Sequence, residues 1–268
     1  MRLSRIILCV MCSFIGTLLG YGSDVTIISF SANRHEASVA DSIITEIHSK
    51  TIHISVVDGN IRKAVAEYEN KLDSIKKCSN GNEEYAIIGL GTFGSAAATV
   101  CAAECYPKFL VLISGVGVNG SEIAKRFFTS STFFISPEVS LPARKAVLTD
   151  IACGGTGGII PAEFKELLSY QPHQFLRRIN CPTFCAFGTA DATVDWYANS
   201  MGMEESLPLS AKNLICVYPR TGYCLWISDN DSNIPFIGDK KPAASRLNSK
   251  AVADVVSWIM SNVECAGE

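Results

Sequence analysis

The chain has 268 residues, 48% of them hydrophobic and 18% charged, with a formal net charge of −3. That is enough apolar material for one sizeable core, and one large α/β domain fits the length as well as two small ones. No basic stripe accompanies the slightly acidic balance, which argues against nucleic acid as a partner.

Arg2 and Arg5 precede the apolar run IILCVMCSFIGTLLG, which ends in small residues near Gly20 to Ser23. This is the pattern of a secretory signal peptide, assigned here to residues 1–22. The run is shorter than the ~20 residues of a bilayer span. The expectation is therefore cleavage, a secreted or periplasmic mature chain and no stable membrane span; the alternative is a retained anchor.

After the leader, DVTIISF is a β-branched run of strand length. HEASVADSIITEIHSK follows with helical spacing of its apolar residues. TIHISVV predicts a second strand and GNIRKAVAEYENKLDSIKK a long amphipathic helix. YAIIGL predicts a third strand, GSAAATVCAAEC the helix after it, and KFLVLIS a fourth strand. This alternation predicts an α/β fold, a mostly parallel central sheet with helices on both faces. The rhythm breaks between Gly117 and Gln174, where a glycine-rich middle separates two polar and aromatic stretches. That region reads as an inserted, mainly helical cap, at about 117–174, within a domain spanning 23–268. Strands resume at CPTFCAFG and NLICVYP, and SKAVADVVSWIMSNV closes the chain as an amphipathic helix.

Of eleven cysteines, Cys9 and Cys12 lie in the leader. The other nine are an odd number, so they cannot all pair within one chain. Most stand in apolar runs, where a thiol behaves as a small hydrophobe. CAAEC and CPTFC lack the paired short spacings of zinc sites. No metal and no cofactor is expected.

The stretch AIIGLGTFGSAAATV reads as a strand that breaks at a glycine-rich bend and continues as a helix. Such a bend normally presents a nucleophilic serine flanked by small residues, with backbone N–H groups of the helix facing the developing oxyanion. Here the sequence resembles the α/β-hydrolase superfamily, and within it the secreted bacterial esterases of the serine-aminopeptidase-like branch. Laid over that branch's IGLIGHSEGG, YAIIGLGTFG places Leu90 on the usual histidine, Gly91 on the nucleophile, Thr92 on the acidic position and Phe93 on a glycine. KFLVLISGVG is similar to the family strand FLVLLAGPG. YQPHQFLRRINCPTFCAFGTADATV is similar to YDPxxxLxxIxCPVLxxxGxxDxxV, which places Asp191 on the acid of the catalytic triad. VYPRTGYCLW is similar to LPGxNHxFQ, which places Tyr223 on the catalytic histidine. The resemblance covers about residues 80 to 260. It implies oxyanion-type backbone donors at Thr92 and, after the first strand, near Ser31.

The departures bear on function. A Ser-His-Asp mechanism needs an oxygen nucleophile, a base of near-neutral pKa and a carboxylate to orient the base. Gly91 offers no nucleophile, Tyr223 is a poor substitute for imidazole, and Asp191 alone is kept. Loss of nucleophile or base alone costs about 10⁶ in turnover in a well-studied protease. Glycine at an elbow also tolerates a positive φ that strains other residues by on the order of 1–3 kcal/mol. Asp191, deprived of a histidine, needs another donor, for which the Tyr223 hydroxyl or a nearby backbone N–H is expected.

Thr92 is the nearest hydroxyl, one residue late, with helix capping as its plain role. Cys224, beside the lost histidine position, and His35, in SFSANRHEAS after the first strand, are pocket candidates together with Phe93. Three readings follow. The first is a silenced hydrolase that keeps a pocket for a small acyl compound or a protein. The second is a working esterase or peptidase with a non-standard nucleophile. The third is a structural domain whose cavity is filled by Phe93 and Leu90. The joint substitution at Gly91 and Tyr223 beside intact scaffold segments favours the first.

Overall fold

The computed structural model describes residues 25–78, 84–129, 141–155, 158, 160, 162–228 and 245–264. The expected signal segment 1–22, residues 130–140 and part of the glycine-rich stretch after Cys153 lie outside the described residues.

Six strands form one parallel sheet in the order β2-β1-β3-β4-β5-β6. They are β1 (Thr26–Ser31), β2 (Thr51–Ser55), β3 (Tyr85–Leu90), β4 (Leu110–Ile113), β5 (Thr183–Gly188) and β6 (Leu214–Tyr218). β1, β3, β4 and β5 are buried at every residue. That explains why they read as mostly apolar runs rather than strict alternations: helices cover both faces of a parallel sheet. The edge strands β2 and β6 are partly exposed.

The helices are α1 (Arg34–Ile47), α2 (Ile61–Cys78), α3 (Gly91–Cys105), α4 (Gly120–Thr129), α5 (Leu141–Ala152), α6 (Ala162–Ser169), α7 (Pro172–Leu176), α8 (Trp196–Ser206) and α9 (Ser249–Glu264). α1 packs on α9, and α2 packs on α3, which also meets α7. Trp258 fixes α9 by setting its ring 5.9 Å from Phe109 and 5.5 Å from Phe184. Its indole N–H donates to the Lys212 carbonyl at 3.3 Å. The four helices α4 to α7 stand between β4 and β5 in the chain. Phe127 and Phe128 of α4 and Phe164 of α6 form one aromatic cluster with Phe93 of α3. A short antiparallel pair, β7 (Trp226–Ser228) with β8 (Ser245–Leu247), leads into α9 and has no counterpart in the sequence reading.

α3 is the buried helix of the fold. Its run of Gly, Ala, Ser and Thr is covered almost all round, and a helix without an apolar stripe belongs inside a core. Small residues let it lie directly on β1 and β3. A Cβ on Gly94 would overlap the Phe30 carbonyl of β1, and backbone of a central strand does not yield as a side chain would. Gly94→Ala is therefore expected to destabilise the protein by about 1–3 kcal/mol through overpacking. A urea midpoint unchanged from wild type would contradict this close contact.

Candidate functional site

β3 ends at Leu90 and α3 begins at Gly91 without a linking residue. Gly91 takes φ +65°, in the left-handed region that glycine enters at no steric cost. The chain thus makes a sharp strand-to-helix turn there. The turn leaves α3's first amides without partners inside the helix, and Leu90 provides no side-chain cap.

One of those amides is met by a side chain from a distant part of the chain, itself backed by a second. The Thr92 N–H donates to the Tyr223 hydroxyl at 2.9 Å. The same hydroxyl donates to Glu36 Oε1 at 2.8 Å. Glu36 also accepts from the Ala32 N–H at 2.6 Å and from the Asn33 side-chain amide at 3.0 Å. A Cβ built on Gly91 would run into the Tyr223 hydroxyl and come within 2.5 Å of Glu36 Oε1. The space that a nucleophile's side chain would need is occupied by this pair. Both partners are buried, Glu36 at 2% and Tyr223 at 7% exposure.

Sequence reasoning passed over Glu36. Its local signal is N-x-x-E over Asn33 to Glu36. Asn33 caps α1 by accepting from the amides of His35 and Glu36, and Glu36 bends back over the start of the helix to Ala32. This is a variation on the capping box. The motif predicts a capped helix start; only the fold brings that start under Gly91.

Asp191, 4% exposed, is held by a separate set of donors. The Thr193 and Val194 amides each donate to Oδ1 at 2.8 Å, and the Ser114 hydroxyl donates to Oδ2 at 2.9 Å. The backbone donor expected for Asp191 is thus present, whereas the Tyr223 hydroxyl is engaged by Thr92 and Glu36 instead. Ser114, at the end of β4, was also missed. It adopts φ 51° and accepts the Cys224 N–H at 2.9 Å, joining the Asp191 loop to the Tyr223 loop.

The remaining sequence candidates fall in different places. Thr92 Oγ1 is buried and has no hydrogen-bond partner among the described residues. Ser31 ends β1 and its carbonyl accepts the Val56 N–H; the amide that meets the centre is that of Ala32. Half-buried His35 sits one residue before Glu36, on a different side of α1. Phe93 meets Phe164 of α6 edge-on at 5.6 Å. Cys224 is buried at φ 50°. Among the described residues no group of three or more His, Cys, Asp or Glu side chains is placed to hold a metal ion.

Burial dominates the electrostatics. It pushes the Glu36 carboxyl up to about 7, against the pull of the Ala32, Tyr223 and Asn33 hydrogen bonds. It lifts Asp191 to about 6, against its three donors and the Arg126 charge. Tyr223 and Cys224 are pushed well above their ordinary ranges, first by burial and then by the Glu36 charge. Tyr223 therefore stays protonated and serves as a donor to Glu36.

No family model matches the chain, and no curated protein matches it. Solved structures do. A proline iminopeptidase of Mycobacterium smegmatis superposes with TM-score 0.56 at 12% identity, over 91% of this chain and 92% of that one. An esterase of Pyrococcus furiosus superposes with TM-score 0.57 at 13% identity, over 90% of this chain and 83% of that one. An esterase of Thermogutta terrifontis gives TM-score 0.51 at 12% identity, over 90% and 91%. The chain has the α/β-hydrolase fold, as the parallel sheet and its elbow at Gly91 indicate. No described helix is long and apolar enough to cross a membrane.

The raised carboxyls make stability depend on pH. The unfolded chain ionises Glu36 from about pH 4.5, the folded chain only near 7. Stability from this group is whole below the lower value, falls across the interval and is level above it. For a fully buried carboxyl the loss is on the order of 3 kcal/mol. Asp191 adds a loss of the same sign that ends near pH 6. Relative to wild type, Glu36→Gln should therefore gain thermal stability steadily from pH 4.5 to 7.5. Melting curves of the two proteins that stay parallel over that range would refute the assignment.

Proposed function

We propose that this protein is a catalytically silent α/β-hydrolase, exported from the cytoplasm and kept for binding a small acyl compound or a protein. The observation that carries this reading is the Tyr223–Glu36 pair beneath Gly91. Acyl transfer needs a nucleophile and backbone amides free to receive the oxyanion. At this elbow the nucleophile position has no side chain. The Thr92 amide is spent on Tyr223 and the Ala32 amide on Glu36. Filling a site with a satisfied polar pair removes the cost of leaving those amides buried without partners.

One observation favours a working enzyme instead. A carboxyl raised to about 7 has the pKa wanted of a general base at neutral pH. It lacks an accompanying nucleophile. The Thr92 hydroxyl has no hydrogen-bond partner among the described residues to take its proton, and the Cys224 thiol is held well above its ordinary pKa. The silent reading accounts for more of the site.

Two experiments test the proposal. Wild-type protein should hydrolyse p-nitrophenyl acetate and aminoacyl anilides no faster than buffer. Gly91→Ser combined with Tyr223→His should remain poorly active while Glu36 crowds the new serine. Adding Glu36→Ala should open the elbow and raise ester turnover at least tenfold over buffer. Wild-type turnover that disappears in Thr92→Ala or Glu36→Gln would sink the proposal. Export is tested by N-terminal sequencing of protein recovered outside the cytoplasm, which should begin near residue 23.

A further inference from the structure

Away from the buried centre, the helices on the α3 side of the sheet enclose a cleft of about 350 Å³, within the range of small-ligand sites. One side is a single face of α2: Arg62, Val65, Ala66 and Glu69 line the cleft at i, i+3, i+4 and i+7. With a rise of ~1.5 Å per residue, Arg62 and Glu69 stand about 10 Å apart along the helix axis. Both are exposed. Neither side chain takes part in an ion pair with a described residue. The cleft therefore carries a cation at one end and an anion at the other, neither in an ion pair with a described residue.

Between the charges the lining is apolar. Val65 and Ala66 of α2 face Val100 of α3 and the ring of Phe175 of α7. That ring is held in place by stacking on Tyr170 at 5.7 Å and by the Arg178 guanidinium at 5.4 Å. A second carboxylate, Glu166 of α6, lines the cleft beside the start of α2. It accepts the Arg62 backbone N–H at 3.0 Å, where the positive end of the α2 dipole favours it. Gln171 and Gln174 add amide groups.

A ligand of one charge would pair with only one of Arg62 and Glu69, and an uncharged apolar ligand with neither. A zwitterion with an apolar middle answers both. Extended chain spans at most about 3.3–3.6 Å per residue, so three residues cover the distance between the charges. We propose that this cleft binds an apolar peptide of two or three residues with free ends, its terminal carboxylate on Arg62 and its terminal ammonium on Glu69. The side chains rest on Val65, Val100 and Phe175, and the glutamines meet the peptide amides. The site is separate from the Glu36–Tyr223 centre and stands whether or not that centre turns over substrate.

The test is calorimetric titration of the full mature protein with the tripeptide Leu-Ala-Val, with its N-acetylated form and with its C-amidated form. The free tripeptide should bind, and blocking either end should weaken binding at least tenfold. Arg62→Gln should abolish the penalty for amidation and leave that for acetylation. Glu69→Gln should do the reverse, which a merely structural effect on the cleft would not produce. Equal binding of the three peptides, no binding at millimolar concentration to protein that is folded by circular dichroism, or unchanged penalties in both variants would each overturn the proposal.

Discussion

The hydroxyl of Tyr223 is the constraint on which the centre of this molecule depends. It accepts the Thr92 amide at the start of α3 and donates a hydrogen bond to a carboxyl that is itself buried. Each of these groups would be costly alone. An unpaired helix-start amide, a phenol without a partner and a carboxylate out of water all lose solvation that only specific hydrogen bonds return. Together they close into one network, extended at its far side by the Ala32 amide. The network requires Gly91, because a Cβ there would displace it.

A neighbouring network performs the same service for Asp191. Ser114 bridges the loops after β5 and β6, donating to the carboxylate and accepting from Cys224. The two networks meet at adjacent residues, Tyr223 and Cys224. The loop after β6 is thus pinned on one side to the Asp191 loop and on the other to α1 and α3. Residues at positive φ cluster where this pinning occurs, at Ser114, Cys224 and Leu225. Non-glycine residues hold such conformations only where their surroundings over-determine them, and a closed set of buried hydrogen bonds does so.

Much of the scaffold was legible in the chain. A fully buried parallel strand leaves a mostly apolar run without alternation, and β1, β3, β4 and β5 are such runs, β1 with the buried Ser29 and Ser31. The glycine-rich end of YAIIGL marks the turn at Gly91 because the backbone there needs φ > 0. Asp191 lies just beyond β5 and Tyr223 just beyond β6, so the loops that carry them follow from the strand order. The β7–β8 pair was not legible, since three-residue strands carry too little periodicity to be read.

What the sequence determined by itself was the order of layers, the bend at residue 91 and the absence there of a side chain able to attack a carbonyl. These are local properties, set by apolar periodicity and by the lack of a Cβ. Only the tertiary structure decided what stands against Gly91. Glu36 and Tyr223 are 187 residues apart, and nothing in N-x-x-E or in TGYCL announces the other. Their hydrogen bond exists because β1 and β3 are neighbours in the sheet and the loop after β6 folds over their ends. The near-neutral carboxyl is likewise a product of burial, which no stretch of sequence carries until the chain has closed around it.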